Sequence, residues 1–335
     1  MNKINTEIDI YPERIKKILD NFKGKKIAII GDIMLDEYYW GNVNRVSPEA
    51  PVPIVKYISK NNILGGATNV ANNIITLGGD PLLIGIAGDD YYGKTLTSVI
   101  KKRGINTEGI IKDESRITTV KTRIIAHNQQ MLRIDREDTL PINNSIKNRI
   151  IKIIKKNLKT LDGVLISDYA KGVITFELLE ELIPLLNDNN IFIAVDPQVK
   201  HFSEYKNVSI LTPNNYEAGQ GIGIEIVDQK TLIEAGRKIM RKLKCKSLLI
   251  TQGEDGMTLF DNSDKITHIP TVAKHVYDVT GAGDTVISTF ILCISSGASL
   301  LESAFISNHA AGIVVGEVGT STITLAQLKK EFGIN

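Results

Sequence analysis

The 335-residue sequence predicts an α/β protein built on an open, mostly parallel sheet with helices on both faces. Three observations carry this reading. Short, continuous apolar runs recur along the chain, as expected of strands buried on both faces. Segments with apolar residues at helical spacing separate them. Several of the runs end in polar residues, and ligands of such sheets collect at the carboxyl ends of the strands.

In chain order, residues 11–22 read as a short amphipathic helix and 26–30 as the first buried strand, closed by Gly31-Asp32. Further apolar runs lie at 82–86, 164–167, 191–196, 209–212 and 248–251, with helical patterns at 69–77, 94–103, 146–158, 176–186 and 232–243. Asp32, Ser167-Asp168, Asp196, Thr212 and Thr251 stand at strand ends and mark one edge for ligands. Two stretches break the alternation. Residues 36–60 carry Tyr38, Tyr39 and Trp40 and then a proline-rich run; residues 116–135 carry a β-branched alternation, a turn near His127-Asn128, and Met131 to Asp135. Both read as strands without intervening helices, a small sheet inserted in the body. It serves either as a lid that excludes water from a site or as a pair of surface hairpins. No repeat or flexible linker interrupts the chain, so residues 1–335 read as one domain.

Composition narrows the function. With 42% hydrophobic and 23% charged residues the chain has an ordinary soluble make-up, and a net charge of +2 without a long basic block argues against nucleic acid as partner. No apolar run is long enough to span a bilayer, and the polar, acid-bearing first nine residues do not read as a signal peptide. Cys245 and Cys293 lie far apart in apolar contexts, as inert core thiols do, and the histidines show no metal-ligand spacing. A cytoplasmic protein is expected.

The most informative stretch is Tyr277-Asp278-Val279-Thr280-Gly281-Ala282-Gly283-Asp284-Thr285. Val286, Ile287, Phe290, Ile291 and Ile294 follow at helical spacing, and Gly297 is a stop signal. A tight turn feeding a buried helix aims backbone amides at one point, where the helix dipole also favours negative charge. Asp284 sits in that anion hole as a possible proton acceptor. Phosphoryl transfer needs both parts. The plainer reading is a loop shaped by Gly281 and Gly283, with Asp284 capping the helix.

The wording D-[TV]-x-G-A-G-D resembles the C-terminal signature of the ribokinase (PfkB) family of sugar and nucleoside kinases. That resemblance implies a ribokinase-like fold with a small β-sheet lid, Asp284 as catalytic base, and the Gly281, Ala282 and Gly283 amides as holders of the transferred phosphate. Gly65-Gly66-Ala67-Thr68-Asn69 opens a helix and is similar to the family's N-terminal signature in its shorter G-G-x-x-N form, with Thr68 where alanine is usual. Its glycines let a ligand approach the backbone, and Asn69 can both donate to and accept from sugar hydroxyls. Asp32 and Asp36, just past the first strand, could accept from vicinal hydroxyls; the resemblance favours Asp36, with Asp32 assisting. Asn214 and Glu217 fit the family's N-x-x-E motif, which implies Mg²⁺ held indirectly through its water shell; read locally, they form an N-cap and its capping-box partner. Thr251, Gly253 and Gly256 resemble the T-x-G-x-x-G loop beside the nucleotide phosphates. Asn308 lies where the family lines the adenine pocket, or simply lets an Ala/Gly-rich helix pack closely.

Four segments, 31–36, 45–53, 167–172 and 315–321, resemble one branch of the family, which phosphorylates O1 of D-glycero-β-D-manno-heptose 7-phosphate in ADP-heptose synthesis for lipopolysaccharide. No His-x-Gly-His motif of an adenylyltransferase occurs, so a stand-alone kinase is expected. The implied ligands are ATP, Mg²⁺ and a sugar phosphate, with use of a monovalent cation left open. Lys171, then Arg133, then Arg45 are the candidate cations for the remote phosphate, against the reading that they are surface charges. A homodimer through the lid is expected. Rival readings are a kinase for fructose 1-phosphate or tagatose 6-phosphate, or a non-catalytic sugar or nucleotide sensor on the same fold.

Overall fold

The computed structural model describes residues 10–127, 129–273, 279–316 and 321–334. Strand β1 (Lys26–Gly31) forms the centre of a nine-stranded sheet. Strands β2 (Ile33–Val46) and β3 (Pro53–Gly66) follow it at once and leave that sheet. Then come β4 (Asp80–Gly88), β5 (Ile110–Asp113), β6 (Val120–Ala126), β7 (Gln129–Arg136), β8 (Gly163–Ser167), β9 (Ile193–Asp196), β10 (Ile210–Leu211), β11 (Ser247–Thr251), β12 (Met257–Asp261) and β13 (Ile266–Ile269). The large sheet runs β13-β12-β11-β10-β9-β8-β1-β4-β5; pairing is parallel from β5 through β11 and antiparallel at β12 and β13. A second, four-stranded sheet has the order β3-β2-β6-β7.

The helices are α1 (Pro12–Asp20), α2 (Ala67–Thr76), α3 (Tyr91–Lys102), α4 (Asn144–Asn157), α5 (Phe176–Asp188), α6 (Asn215–Ile222), α7 (Gln229–Leu243), α8 (Ala282–Ser295), α9 (Leu300–Val314) and α10 (Leu325–Glu331). Two cores flank the sheet, because successive side chains of a strand point to opposite faces. Ile27 and Ile29 of β1 join one core with α2, α8 and α9, whereas Ala28 and Ile30 join the other with α4, α5 and α7. Helix α8 is buried continuously from Asp284 to Cys293, so it lies as an inner layer. Past Gly283 it contains no glycine or proline before Gly297, and its burial, rather than its β-branched sequence, holds it helical.

Every apolar run read as a strand is one, with β10 reduced to two residues. Helix α3 begins earlier than its apolar spacing suggested, at Tyr91, because the Asp90 side chain caps it by accepting from the Gly93 amide. The first inserted pair of strands is longer than expected, whereas the second, β6 and β7, falls close to its expected bounds. Strand β2 starts two residues after β1, and β3 runs to Gly66, so no loop separates the small sheet from α2.

Candidate active site

The site forms where β1, β8 and β9 end. An added Cβ at Gly31 would lie 2.0 Å from the Ser167 carbonyl oxygen, so only glycine allows β1 and β8 to close together here. Asp32 follows. Its Oδ2 accepts from the amides of Tyr169 (2.9 Å) and Lys171 (3.0 Å), and its Oδ1 from that of Val173 (3.0 Å). Both oxygens thus pin the loop after β8, a structural job in addition to the assisting sugar contact that the sequence suggested. Burial and the nearby Asp168 charge raise its carboxyl above the usual range, against the pull of those amides.

Gly65 and Gly66 end β3 beside this point. A Cβ on Gly65 would meet Asp36 Oδ2 at 2.6 Å, and Gly66 takes φ 57° as the N-cap of α2. Thr68, the departure from the family wording, closes the turn: its hydroxyl donates to the Gly65 carbonyl at 2.6 Å. Asn69 then donates from Nδ2 to Asp284 Oδ2 at 2.7 Å. Two motifs 215 residues apart in sequence therefore meet side chain to side chain.

Gly281 caps α8 with φ 83°, a left-handed conformation suited to glycine. The first amides of a helix have no intrahelical acceptor. Ala282 spends its amide on the Val279 carbonyl (3.2 Å), and among the described residues no acceptor takes the amides of Gly283 and Asp284. Among the described residues, nothing lies within 4 Å of a Cβ placed on Gly283. Asp284 itself is buried, and its Oδ1 accepts from the Tyr169 hydroxyl at 2.7 Å. Burial, with a smaller contribution from the Asp36 charge, pushes its carboxyl up to about 6, while Asn69 and Tyr169 hold it down. The first two residues of the motif, Tyr277 and Asp278, lie outside the described residues, as do Asn128 and Glu317 to Thr320.

Asp36 is buried and paired with Arg123 Nη1 at 2.7 Å. Directly paired residues share a sheet face. The β2–β6–β7 register therefore puts Asp36, Tyr38, Lys121, Arg123, Arg133 and Asp135 on the face turned to the site, and Glu37, Tyr39, Thr122, Ile124, Leu132 and Ile134 on the other. Lys171 Nζ reaches Glu137 at 2.8 Å, and Lys121 lies 3.5 Å from the same carboxylate. Arg133 pairs with Asp135 at 2.9 Å.

The nucleotide candidates gather further along the sheet edge. Asn214 and Glu217 form the capping box of α6, with Asn214 Oδ1 accepting from the Glu217 amide and Glu217 Oε2 from the Asn214 amide. An isolated parallel bridge joins Asn214 to Thr251. Gly253 (φ 60°) and Gly256 (φ 86°) turn the loop after β11. Asn308 donates to the Pro270 carbonyl at 2.7 Å, so it fastens α9 to the end of β13, and Gly312 nearby keeps that approach close. Asp196 links the two groups. Its carboxyl is driven well above the usual range by burial and by the charges of Asp284, Glu217 and Asp168. Sequence reasoning placed Asp196 at a strand end without a role and passed over Tyr169 and Arg123. Tyr169 follows a strand end by two residues, a signal that could have found it; Arg123 carries no local signal, since only strand pairing brings it to Asp36.

The model of the pfkB family of carbohydrate kinases matches residues 25–327. The chain belongs to that family. It is a phosphotransferase of the sugar-kinase class. Among curated relatives, it is 42% identical over 310 residues to the bifunctional protein HldE of Desulfatibacillum aliphaticivorans, covering 92% of this chain and 63% of the relative. The HldE of Helicobacter pylori strain J99 is 40% identical over 304 residues, covering 91% and 65%. The kinase thus spans somewhat less than two thirds of the length of these relatives. Among solved structures, Escherichia coli phosphofructokinase-2 in complex with substrates and products superposes with TM-score 0.75 at 18% identity, covering 92% of this chain and 98% of that one. Arabidopsis thaliana ribokinase complexed with ribose and ATP gives 0.73 at 17% identity, covering 93% and 100%. The fold is ribokinase-like.

Proposed function

We propose that this kinase transfers the γ-phosphoryl group of ATP to O1 of D-glycero-β-D-manno-heptose 7-phosphate, giving the 1,7-bisphosphate. The observation that carries the chemistry is the buried Asp284 carboxylate at the start of α8, held by Asn69 beside the glycine turn of Gly281 and Gly283. The O1–H proton passes to Asp284 as the O1–P bond forms. The bond from the γ-phosphorus to the bridging oxygen breaks, and ADP leaves. Charge that develops on the transferred group faces the first-turn amides of α8.

The choice of a sugar phosphate rests on the resemblance of segments 31–36, 45–53 and 167–172 to the heptose branch and on the similarity to HldE proteins. The cations on the site-facing side of the small sheet agree with it: Lys121, Arg123 and Arg133, with Lys171 across from them. A remote dianion bound there can position O1 for in-line attack. On this reading the small sheet is the lid of the site. ATP brings Mg²⁺, which supplies charge neutralisation for the phosphates. Among the described residues no cluster of three acids, histidines or cysteines could hold a metal directly. Glu217 and Asn214 suit contact through its water shell, and the crowding of Asp196, Glu217 and Asp284 is what an incoming cation would relieve.

The test is ADP release with Mg·ATP and a panel of heptose 7-phosphate, unphosphorylated heptose, fructose 1-phosphate and tagatose 6-phosphate. Turnover should be fastest with heptose 7-phosphate. A faster rate with another sugar phosphate moves the substrate assignment; no turnover with any acceptor overturns the catalytic reading.

A further inference from the structure

We infer that Tyr169 is a positioning residue of the reaction: its hydroxyl holds Asp284 Oδ1 and keeps that carboxylate both ionised and aimed at the acceptor. The inference rests on the reading of Asp284 as proton acceptor and gives a role to Tyr169, which the sequence analysis left without one.

The geometry is over-determined. Tyr169 sits in a short hook between β8 and α5, fastened at four backbone amides. Asp32 takes those of Tyr169, Lys171 and Val173, and Asp168 Oδ1 takes that of Ala170 at 2.7 Å. Ala170 lies at φ 54°, a conformation that costs energy for a residue with a Cβ and persists only where its surroundings impose it. Gly172 follows at φ 90°, its missing Cβ leaving room for the Leu140 carbonyl. Asp32 and Asp168 thus hold in place the loop that delivers the Tyr169 hydroxyl to Asp284 at 2.7 Å. Asp168 is itself anchored, by the Tyr205 hydroxyl and His201 Nδ1, each at 2.6 Å.

Asp284 needs this help. The charged groups around it are acids: Asp36 from β2, already paired with Arg123 of β6, and Asp196 at the end of β9. Among the described residues its side-chain hydrogen-bond partners are Asn69 and Tyr169, neither of them a cation. Only neutral donors therefore favour its ionised form. The phenol is suited to that task, because burial and the charge of Asp284 raise its own ionisation far above neutrality, so it stays a donor.

The experiment compares wild type, Tyr169→Phe and Asp284→Asn. With whichever sugar phosphate the wild type turns over, the acid limb of kcat/KM should move upward in Tyr169→Phe by about one pH unit, roughly a tenfold loss below the limb. The rate should recover towards wild type at alkaline pH. A second readout needs no substrate: the melting temperature of Tyr169→Phe should fall further below wild type at pH 8 than at pH 5. That widening should vanish when both proteins also carry Asp284→Asn. A limb that stays in place, or a melting difference independent of pH, overturns the inference. A wild type without turnover sinks the functional reading instead, and leaves the melting comparison to decide on Tyr169.

Discussion

Burial does two things to Asp284. It raises the cost of the negative charge, so the carboxyl titrates near 6, and it strengthens every hydrogen bond that survives. A base so placed is mostly ionised at neutral pH yet basic enough to accept a proton. Replacing it by asparagine keeps the shape and removes the acceptor, so Asp284→Asn should lose about 10²–10⁴-fold in kcat. Nucleotide affinity, measured by calorimetry, should change little. Near-normal turnover in that variant would rule Asp284 out as the base. The same carboxyl predicts a stability effect of opposite sense. Its folded-state value, about 6, lies above the ordinary 3.8. Its contribution to stability is therefore present below about pH 4 and is lost as pH rises through 6. Asp284→Asn, never charged, should melt above wild type at pH 8 and converge with it only below about pH 4; a lower melting temperature at pH 8 would contradict this. At this scale the sequence singled out Asp284, Asn69 and the glycines, because each belongs to a contiguous motif. Tyr169 and Arg123 escaped because their partners, Asp284 and Asp36, are supplied by distant elements.

At the scale of elements, the site depends on how α2 meets α8. The contact is a polar seam inside the core. Asn69 donates to Asp284, Asn73 Nδ2 donates to the Asn69 carbonyl at 3.0 Å, and the Thr285 hydroxyl donates to Asn73 Oδ1 at 3.2 Å. Ser288 continues the seam by donating to the Val70 carbonyl at 3.3 Å. Asn73 is fully buried and serves both helices. Its removal should leave the Thr285 hydroxyl without that acceptor and let the helices shift against each other. Asn73→Ala is expected to lower stability by about 1–3 kcal/mol, read from urea unfolding. A larger fall in kcat than in stability alone explains should accompany it, since Asp284 rides on the same contact. An unaffected rate and stability would mean that the seam is incidental. The strands were legible because a parallel sheet demands near-continuous apolar runs, and those of β1, β8, β9 and β11 are unmistakable. The seam was not, because Asn73 and Thr285 look like ordinary polar positions until two helices bury them together. Strands β12 and β13 were also missed: in this antiparallel edge pair, Thr258, Thr267 and His268 interrupt the apolar pattern.

At the scale of the whole molecule, the small sheet is unbalanced. Its site-facing side is charged and paired, with Arg123 on Asp36 and Lys121 between Asp135 and Glu137. Its other side carries Tyr39 against Tyr57, the buried Glu37 paired with Lys60, and beyond them Ile124, Leu132 and Ile134. Leu132 and Ile134 are each more than half exposed, as is Tyr57. Alternation along β7 thus gives one polar face and one apolar face; among the described residues α3 meets the base of the second, where Arg136 pairs with Asp90, and Leu132 and Ile134 stay exposed beyond it. A contiguous apolar face of this kind commonly marks an interface. We therefore expect two copies to pack these faces together, each covering the other's sheet and holding it over its own site. Sedimentation should find a dimer at micromolar concentration. The double substitution Leu132→Glu and Ile134→Glu should dissociate it, because like charges would meet across the shared face. Since those residues point away from Asp36 and Asp284, the monomer should keep its nucleotide affinity while its KM for the sugar rises, the lid having lost its support. A wild-type monomer, or a dimer that survives both charges, would place the interface elsewhere. A dissociated variant with an unchanged sugar KM would show that the sheet closes the site without help from a partner.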